Sequence, residues 1–348
     1  MNNRIPRVMM VATARQTRGG LASYLKALEQ QPLWERYSCI WTETQIDRNV
    51  ALKLLYLVRS FFQFLWRVSR YDIIHMHTVP GHSVWVQLPV FILARLMRKK
   101  IILHLHVSDQ LQYFTRSKSF HYVLNRADCI IVLSKKAKVL LKESYGVKVP
   151  VEVIHNASRE YIRMKEVQKE NIILVAGVLD RNKAYDVIIR AFARVSARFP
   201  DWKLVFAGFG ELEQARSLAD SHGIADKVEL PGWVSGSDKE KLFSKATIYC
   251  LVSYNEGFPV AVLEAWWYEL PVICTPAGGL ADVLIPGENA LVTEPGDDVQ
   301  LALHMERMMS DPVLRASLAV NSHKLVSEKL TQQQMNKKLE HVYTQLML

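Results

Sequence analysis

The chain lacks the marks of several protein classes. It has four cysteines in 348 residues, Cys39, Cys129, Cys250 and Cys274, each alone in an apolar run such as "YSCIW" or "TIYCLV". The absence of a CxxC pair or a Cys/His cluster argues against a structural zinc and a disulfide framework, and buried thiols in a reducing, cytosolic setting are expected. No GxxxxGK[ST] occurs, and "GFGELE" from Gly208 is missing the third glycine of the dinucleotide fingerprint. A P-loop ATPase and a Rossmann dehydrogenase are therefore poorly supported. Uninterrupted apolar runs stay well below the roughly 20 residues of a membrane span. The run "VMMVATA" before Arg15 is only about seven residues long, too short for the core of a signal peptide. No low-complexity tract argues for disorder.

The length exceeds one ordinary domain, and about 150 residues per domain gives two. Charge divides the same way. Residues 1–165 carry 26 Lys and Arg against 10 Asp and Glu, a net +16, while the remainder carries 18 against 24, a net −6. A basic half beside an acidic half implies that the first half faces something anionic, nucleic acid or a phospholipid surface. Neither an interleaved aromatic stacking surface nor a recognisable reading module is present, which argues against nucleic acid.

Short apolar runs alternate with helical patterns throughout. "RVMMVATA", "SCIWT", "DIIHMHT", "KIILHLHV" and "CIIVLS" read as strands buried on both faces, and after the polar "REYIRMKEVQKEN" the alternation restarts with "IILVAG", "KLVFAG", "KVELPGW", "TIYCLVS" and "PVICTP". The expected fold class is α/β, two doubly wound Rossmann-like domains facing across a cleft at the C-terminal strand ends. The expected domains are 1–165, an acceptor-binding half; 166–330, a donor-binding half; and a C-terminal helix, 331–348, that could pack back on the first. Two segments of the basic half are unusually apolar. In residues 50–68, Lys53, Arg59, Ser60, Gln63 and Arg67 form one polar stripe and leave a broad apolar face. "VWVQLPVFILARLMRKK" follows and ends in basic residues. Both could lie against an anionic bilayer.

The stretch "EGFPVAVLE" has Glu256 and Glu264 with seven residues between them. It follows a strand and opens a helix, with Gly257 expected to turn the backbone and Pro259 to occupy the first helical turn. The first amides, around Phe258 to Ala261, then form an anion site suited to a diphosphate. Acids on either side of a bound diphosphate suit a ligand with hydroxyls at both ends, such as a nucleotide sugar. Lys183, six residues after Gly177, and Arg181 come from another strand-loop-helix unit and could reach the same anion. In the first half Gly19 and Gly20 lie between the first strand and its helix, where a glycine pair permits close backbone approach to a ligand.

Taken in order, the Gly19–Gly20 loop, "DIIHMH", "IILHLHVSD", "ADCIIVLS", "VIHNAS", the Lys183 loop, "LVFAGFG", "LPGWV", the paired glutamates and "PVICTPAGGLADVL" resemble the retaining glycosyltransferases of family four over nearly the whole chain. These have the two-domain GT-B fold. The resemblance implies that Glu264 binds ribose hydroxyls, that Glu256 lies by the donor sugar, and that Gly257, Phe258, Pro259 and Val260 present amides to the diphosphate. It implies that Lys183 neutralises that diphosphate, that Val234 borders the nucleobase, and that His106 contacts the donor sugar near the reacting centre. Catalytic roles thus fall to His106 and Glu256. No metal or bound cofactor is implied; the donor is a UDP or GDP sugar and the acceptor a glycan or lipid-linked intermediate. The expected location is the cytoplasmic face of the plasma membrane, held peripherally.

Three positions depart from the family pattern: Val178 replaces an arginine, Ala184 a glycine and Glu269 a glycine. The second reads as a mild change, and the third as a different helix end with a third acid near the cleft. His75, His77, His104 and His106 alternate on two strands so that each pair shares a face and could line the cleft near the strand ends; for the first three the ordinary reading is a hydrogen-bonded strand histidine. Two other functions fit the same architecture, a nucleotide-sugar 2-epimerase and a non-catalytic nucleotide-sugar-binding subunit.

Overall fold

The computed structural model describes residues 4–17, 19–46, 50–161 and 167–348. The chain forms two compact units: residues up to Asn156 together with Gln332–Leu348, and Ala157–Thr331. The expected boundary between residues 165 and 166 lies outside the described residues.

The first unit holds a parallel six-stranded sheet of β1 (Val8–Thr13), β2 (Ile40–Gln45), β3 (Ile73–Thr78), β4 (Lys100–Leu105), β5 (Cys129–Val132) and β6 (Val151–Val153). Their spatial order is β2-β1-β3-β4-β5-β6. The second unit repeats the plan with β7 (Ile172–Ala176), β8 (Lys203–Ala207), β9 (Val228–Gly232), β10 (Ile248–Leu251), β11 (Val272–Cys274) and β12 (Leu291–Val292), in the order β12-β11-β10-β7-β8-β9. Every residue of β1, β3, β5, β10 and β11 is buried, as parallel strands covered on both faces require. Each order reverses beside the unit's first strand, the point at which α/β sheets open a ligand crevice.

In the first unit the helix Gln332–Gln345 is held by Arg36, whose Nη1 donates to Glu340 at 3.1 Å, and by Tyr343, which stacks edge-on against Tyr37. The helix Val50–Arg67 departs from its expected polar stripe. Ser60 is buried, donating from Oγ to the Leu57 carbonyl at 2.8 Å, and Phe64 is fully buried beside it, whereas Leu54, Phe62 and Trp66 on the apolar face are exposed. A hydroxyl that bonds its own helix backbone can be buried at small cost, so the polar stripe is broken at Ser60, while Lys53 and Arg59 are exposed as the stripe implies. Among the described residues no helix is long and apolar enough to cross a membrane.

Candidate functional site

In the second unit the turns after β7 and β8 lie backbone against backbone. The amide of Gly177 donates to Ala207, that of Leu179 to Phe209 and that of Glu211 to Leu179, at 2.7 to 3.1 Å. A Cβ on Gly208 would stand 1.6 Å from the Gly177 carbonyl oxygen, and one on Gly210 2.2 Å from that of Leu179. The glycines of "GFGELE" thus serve the approach of two protein loops. This juxtaposition sets the start of the loop that carries Arg181 and Lys183.

Asp180 caps that loop's short helix by accepting from the Lys183 amide at 2.9 Å. Asn182 clamps it to the strand β10 turn: its Oδ1 accepts from the Asn255 amide at 3.1 Å, and its Nδ2 donates to the Asn255 carbonyl at 2.9 Å. Lys183 is thereby placed on Glu256, with which its ammonium forms an ion pair. Arg181 is exposed at the loop's first position. Ala184 closes the loop at φ 52°, fully buried. That is a left-handed position favouring glycine by about 1 kcal/mol, so the exchange is not mild at the backbone, although burial of the methyl offsets about as much.

The motif helix spans Val260–Trp267, and Pro259 is the residue before it, at φ −71° and ψ 111°, rather than part of its first turn. Phe258 and Pro259 are buried and anchor the start. Gly278 packs against the turn: at φ 61°, its missing Cβ leaves room for the Glu256 and Gly257 carbonyl oxygens, each 2.4 Å from where that atom would be. The Gly279 amide donates to the Gly257 carbonyl at 2.7 Å. The two amides that open the helix, Val260 and Ala261, have no partner within it.

Glu264, one turn in, is only 3% exposed and accepts from Lys239 Nζ at 2.5 Å. Burial pushes its carboxyl above the usual range, and Lys239, then the Tyr161 hydroxyl, pull it back. Each glutamate of the motif is therefore paired with a lysine from elsewhere in the unit. Val234 follows β9 and is half-buried, next to Trp233, which is tilted against Phe209 with ring centroids 5.5 Å apart.

The helix does not end differently at Glu269. This residue adopts φ 54°, its amide donates to Trp266 at 3.1 Å, and the Leu270 amide donates to Ala265 at 2.9 Å. That pair of bonds is the Schellman closure usually made by glycine. Glu269 is exposed, so Glu269→Gly relieves the strain without losing buried contacts. The variant should gain about 1 kcal/mol, read as a higher urea midpoint at unchanged slope.

In the first unit Gly19 precedes the helix Gly20–Glu29 at φ 131°. The loop is tied down by Arg15, which pairs with Glu29 at 2.6 Å and lies 4.5 Å over the Trp41 ring. A Cβ on Gly19 or Gly20 would meet nothing within 4 Å. Nothing in the fold itself explains why Gly20, which lies in a helix, has no side chain. Gly20→Ala should leave the fold as stable or about 0.5 kcal/mol more so and, where a ligand comes close, weaken its binding. Melting curves with and without nucleotide sugar separate the two effects.

His106 follows β4 and joins a cluster with His75, His77 and His104. His77 and His104 are register partners on β3 and β4. His77 Nδ1 lies 2.9 Å from His106 Nε2, His75 Nε2 3.3 Å from His104 Nδ1, and His75 Nδ1 2.8 Å from the Tyr343 hydroxyl. His75 is thus fully bonded, but His77 and His104 each leave Nε2 buried without a partner. Burial pushes His75 and His106 down to about 3 and lowers His77 and His104 well below the ordinary value, so all four are neutral at pH 7. A buried lone pair without a partner costs less than a buried N–H without one. The His77 proton is therefore assigned to Nδ1, donating to His106 Nε2. His106 in turn carries its proton on Nδ1.

One ring nitrogen from each of His75, His77 and His104 lies within 4.8 Å of the others. The His75 and His77 rings, however, stack at 4.4 Å with planes 23° apart. Their in-plane lone pairs run side by side rather than toward a common ion, and hydrogen bonding accounts for the cluster better than a metal does. Sequence reading missed Lys239, Asn182, Gly278 and Tyr343. Only Gly278, in the quoted "TPAGG", carried a local signal, since the others gain their roles from partners far along the chain.

Residues 158–325 match the family described as Glycosyl transferases group 1, and residues 36–157 match Glycosyltransferase Family 4. An uncharacterized glycosyltransferase, MJ1607, of Methanocaldococcus jannaschii is 26% identical over 301 residues, covering 79% of this chain and 76% of its own. Sucrose-phosphate synthase from Thermosynechococcus elongatus superposes with a TM-score of 0.81 at 18% identity, over 98% of this chain and 99% of that one. Anabaena Alr3699/HepE in complex with UDP-glucose gives 0.76 at 17% identity, over 98% and 100%.

Proposed function

We infer that this chain, which matches two glycosyltransferase family models in succession, is a GT-B enzyme of the family-4 type that transfers a hexose, with retention, from a nucleoside diphosphate sugar to a lipid-linked or cell-surface glycan intermediate. The observation that carries this reading is the pairing of both motif glutamates with lysines at the start of the helix Val260–Trp267. Without ligand, Lys183 is held before the helix by Glu256 and Lys239 one turn into it by Glu264, acids that offer acceptor oxygens to sugar hydroxyls. When the donor binds, Lys183 and the first helical amides take the diphosphate, and Glu264 takes the ribose. A leaving diphosphate neutralised in this way needs no metal to stabilise its charge.

Retention follows if the departing phosphate oxygen takes the acceptor proton on the face from which it leaves, so no separate carboxylate base is required. His106, neutral and donating from Nδ1, steadies the donor sugar at that moment. The +16 charge of residues 1–165 and the exposed apolar helix Val50–Arg67 support a peripheral site of action on the cytoplasmic face of an anionic membrane.

The test is a panel of UDP and GDP sugars, UDP-glucose first, monitored by melting temperature and then by product NMR with membrane extract as acceptor source. The expected outcome is one donor that raises the melting temperature and one α-linked product from an α-linked donor. An inverted product would overturn retention, an epimerised donor without acceptor would establish an epimerase, and binding without turnover in any extract would establish a binding subunit.

A further inference from the structure

The helices Val50–Arg67 and His82–Leu96 enclose a groove of about 260 Å³. Its lining is apolar throughout, including Leu57, Phe61, Phe62, Val86 and Pro89. Its surroundings are not those of an ordinary monomer surface. Phe62 is 63% exposed, Trp66 66% and Trp85 63%, a concentration of large side chains that marks a binding surface.

Charge selects the occupant. Residues 50–100 hold eight basic side chains and one acid, Asp72, which is already engaged by the Arg7 amide at 2.8 Å and by Arg4 at 3.2 Å. A second copy docked on this face would set like charge against like charge, whereas a lipid phosphate is attracted. Arg67 and Arg70 lie over the Trp66 ring at 5.9 and 5.2 Å. Tryptophan with arginine is the pairing that settles at the boundary between headgroups and hydrocarbon.

Position links the groove to the chemistry. The helix His82–Leu96 starts four residues beyond the C-terminal end of β3, the end that carries His77 and its partner His106. Val86 lies four residues into that helix, about 6 Å along its axis. On this helix the groove's lining therefore begins about one turn from the helix's start, the end that follows β3.

We propose that this groove holds the hydrocarbon tail of the lipid-phosphate acceptor, keeping its polar head at the strand ends of the first unit. The proposal rests on the transferase reading above and names the acceptor class for it. Bilayer attachment alone would need only the exposed face; a groove closed on two sides also selects a single chain.

Farnesyl phosphate below its micelle concentration, with inorganic phosphate as the control, tests this on the full chain. Wild type should bind farnesyl phosphate at one per chain, with inorganic phosphate failing to compete. Val86→Trp fills the groove while keeping the surface apolar. It should lose about tenfold or more in farnesyl phosphate affinity while still floating with phosphatidylglycerol vesicles and still being stabilised by the nucleotide sugar. Phe62→Asp, at an exposed position that tolerates the change, should lose both farnesyl phosphate binding and flotation. Unchanged farnesyl phosphate affinity in either variant, or wild-type binding no stronger than that of inorganic phosphate, overturns the groove. Failure of the transferase reading shows separately, as no stabilisation of wild type by any nucleotide sugar.

Discussion

Lys183→Ala lowers kcat/KM for the nucleotide sugar by about 10²- to 10³-fold and leaves the melting curve in the absence of ligand close to wild type. The side chain makes its ion pair with Glu256 in a part-buried position, 23% exposed on the lysine side and 11% on the glutamate side; water still reaches the pair, so its loss changes folding by about 1 kcal/mol. Its removal, however, leaves Glu256 as an uncompensated negative charge where the diphosphate must come, so the variant loses an attraction and gains a repulsion. The Lys183→Ala, Glu256→Ala double variant separates the two: binding of the bare nucleoside diphosphate should partly recover, while transfer should not. If both variants show wild-type kinetics, the anion site is not where the geometry puts it.

Gly208→Ala gives the largest effect on stability, about 3 kcal/mol or more, seen as a sharp drop in the urea midpoint and in soluble yield. The added methyl would stand 1.6 Å from the Gly177 carbonyl oxygen, a backbone atom that cannot move aside without parting the turns after β7 and β8. Gly20→Ala provides the contrast within the same chain, since its Cβ meets nothing within 4 Å. A Gly208→Ala protein that melts like wild type would mean that these turns are not packed as described. Because the Lys183 loop grows from one of these turns, donor binding should fall together with stability in Gly208→Ala, but independently of it in Lys183→Ala.

Much of this was legible in advance. Ten of the twelve strands described were marked by runs such as "IILVA" and "VICT", because a strand covered on both faces must be apolar along its length. The three-residue β6 and the two-residue β12 were too short to signal themselves. The start of the helix Val260–Trp267 was legible from Gly257 and Pro259, with an error of one residue. Ser60 was misread because polarity was taken for exposure, although a hydroxyl can satisfy itself on the turn before it. Glu269 was misread because the side chain suggested a different cap, while the backbone bonds that close a helix do not need the glycine; they only form at lower cost with it.

Residue type and short-range spacing by themselves determined that this protein is an α/β chain of two sheets, with a helix N-terminus between two acids and a lysine loop near a glycine. These are local properties, set by the strand and helix periods and by the few residues that can begin or end a helix. Only the tertiary structure decided which charges meet. Lys183 reaches Glu256 across 73 residues, Lys239 reaches Glu264 across 25, and Tyr343 reaches His75 across 268. Such pairs depend on the order in which parallel strands lie side by side and on where the last helix returns. The free energy that sets that order is spread over the buried contacts of each whole unit, so no local pattern encodes it.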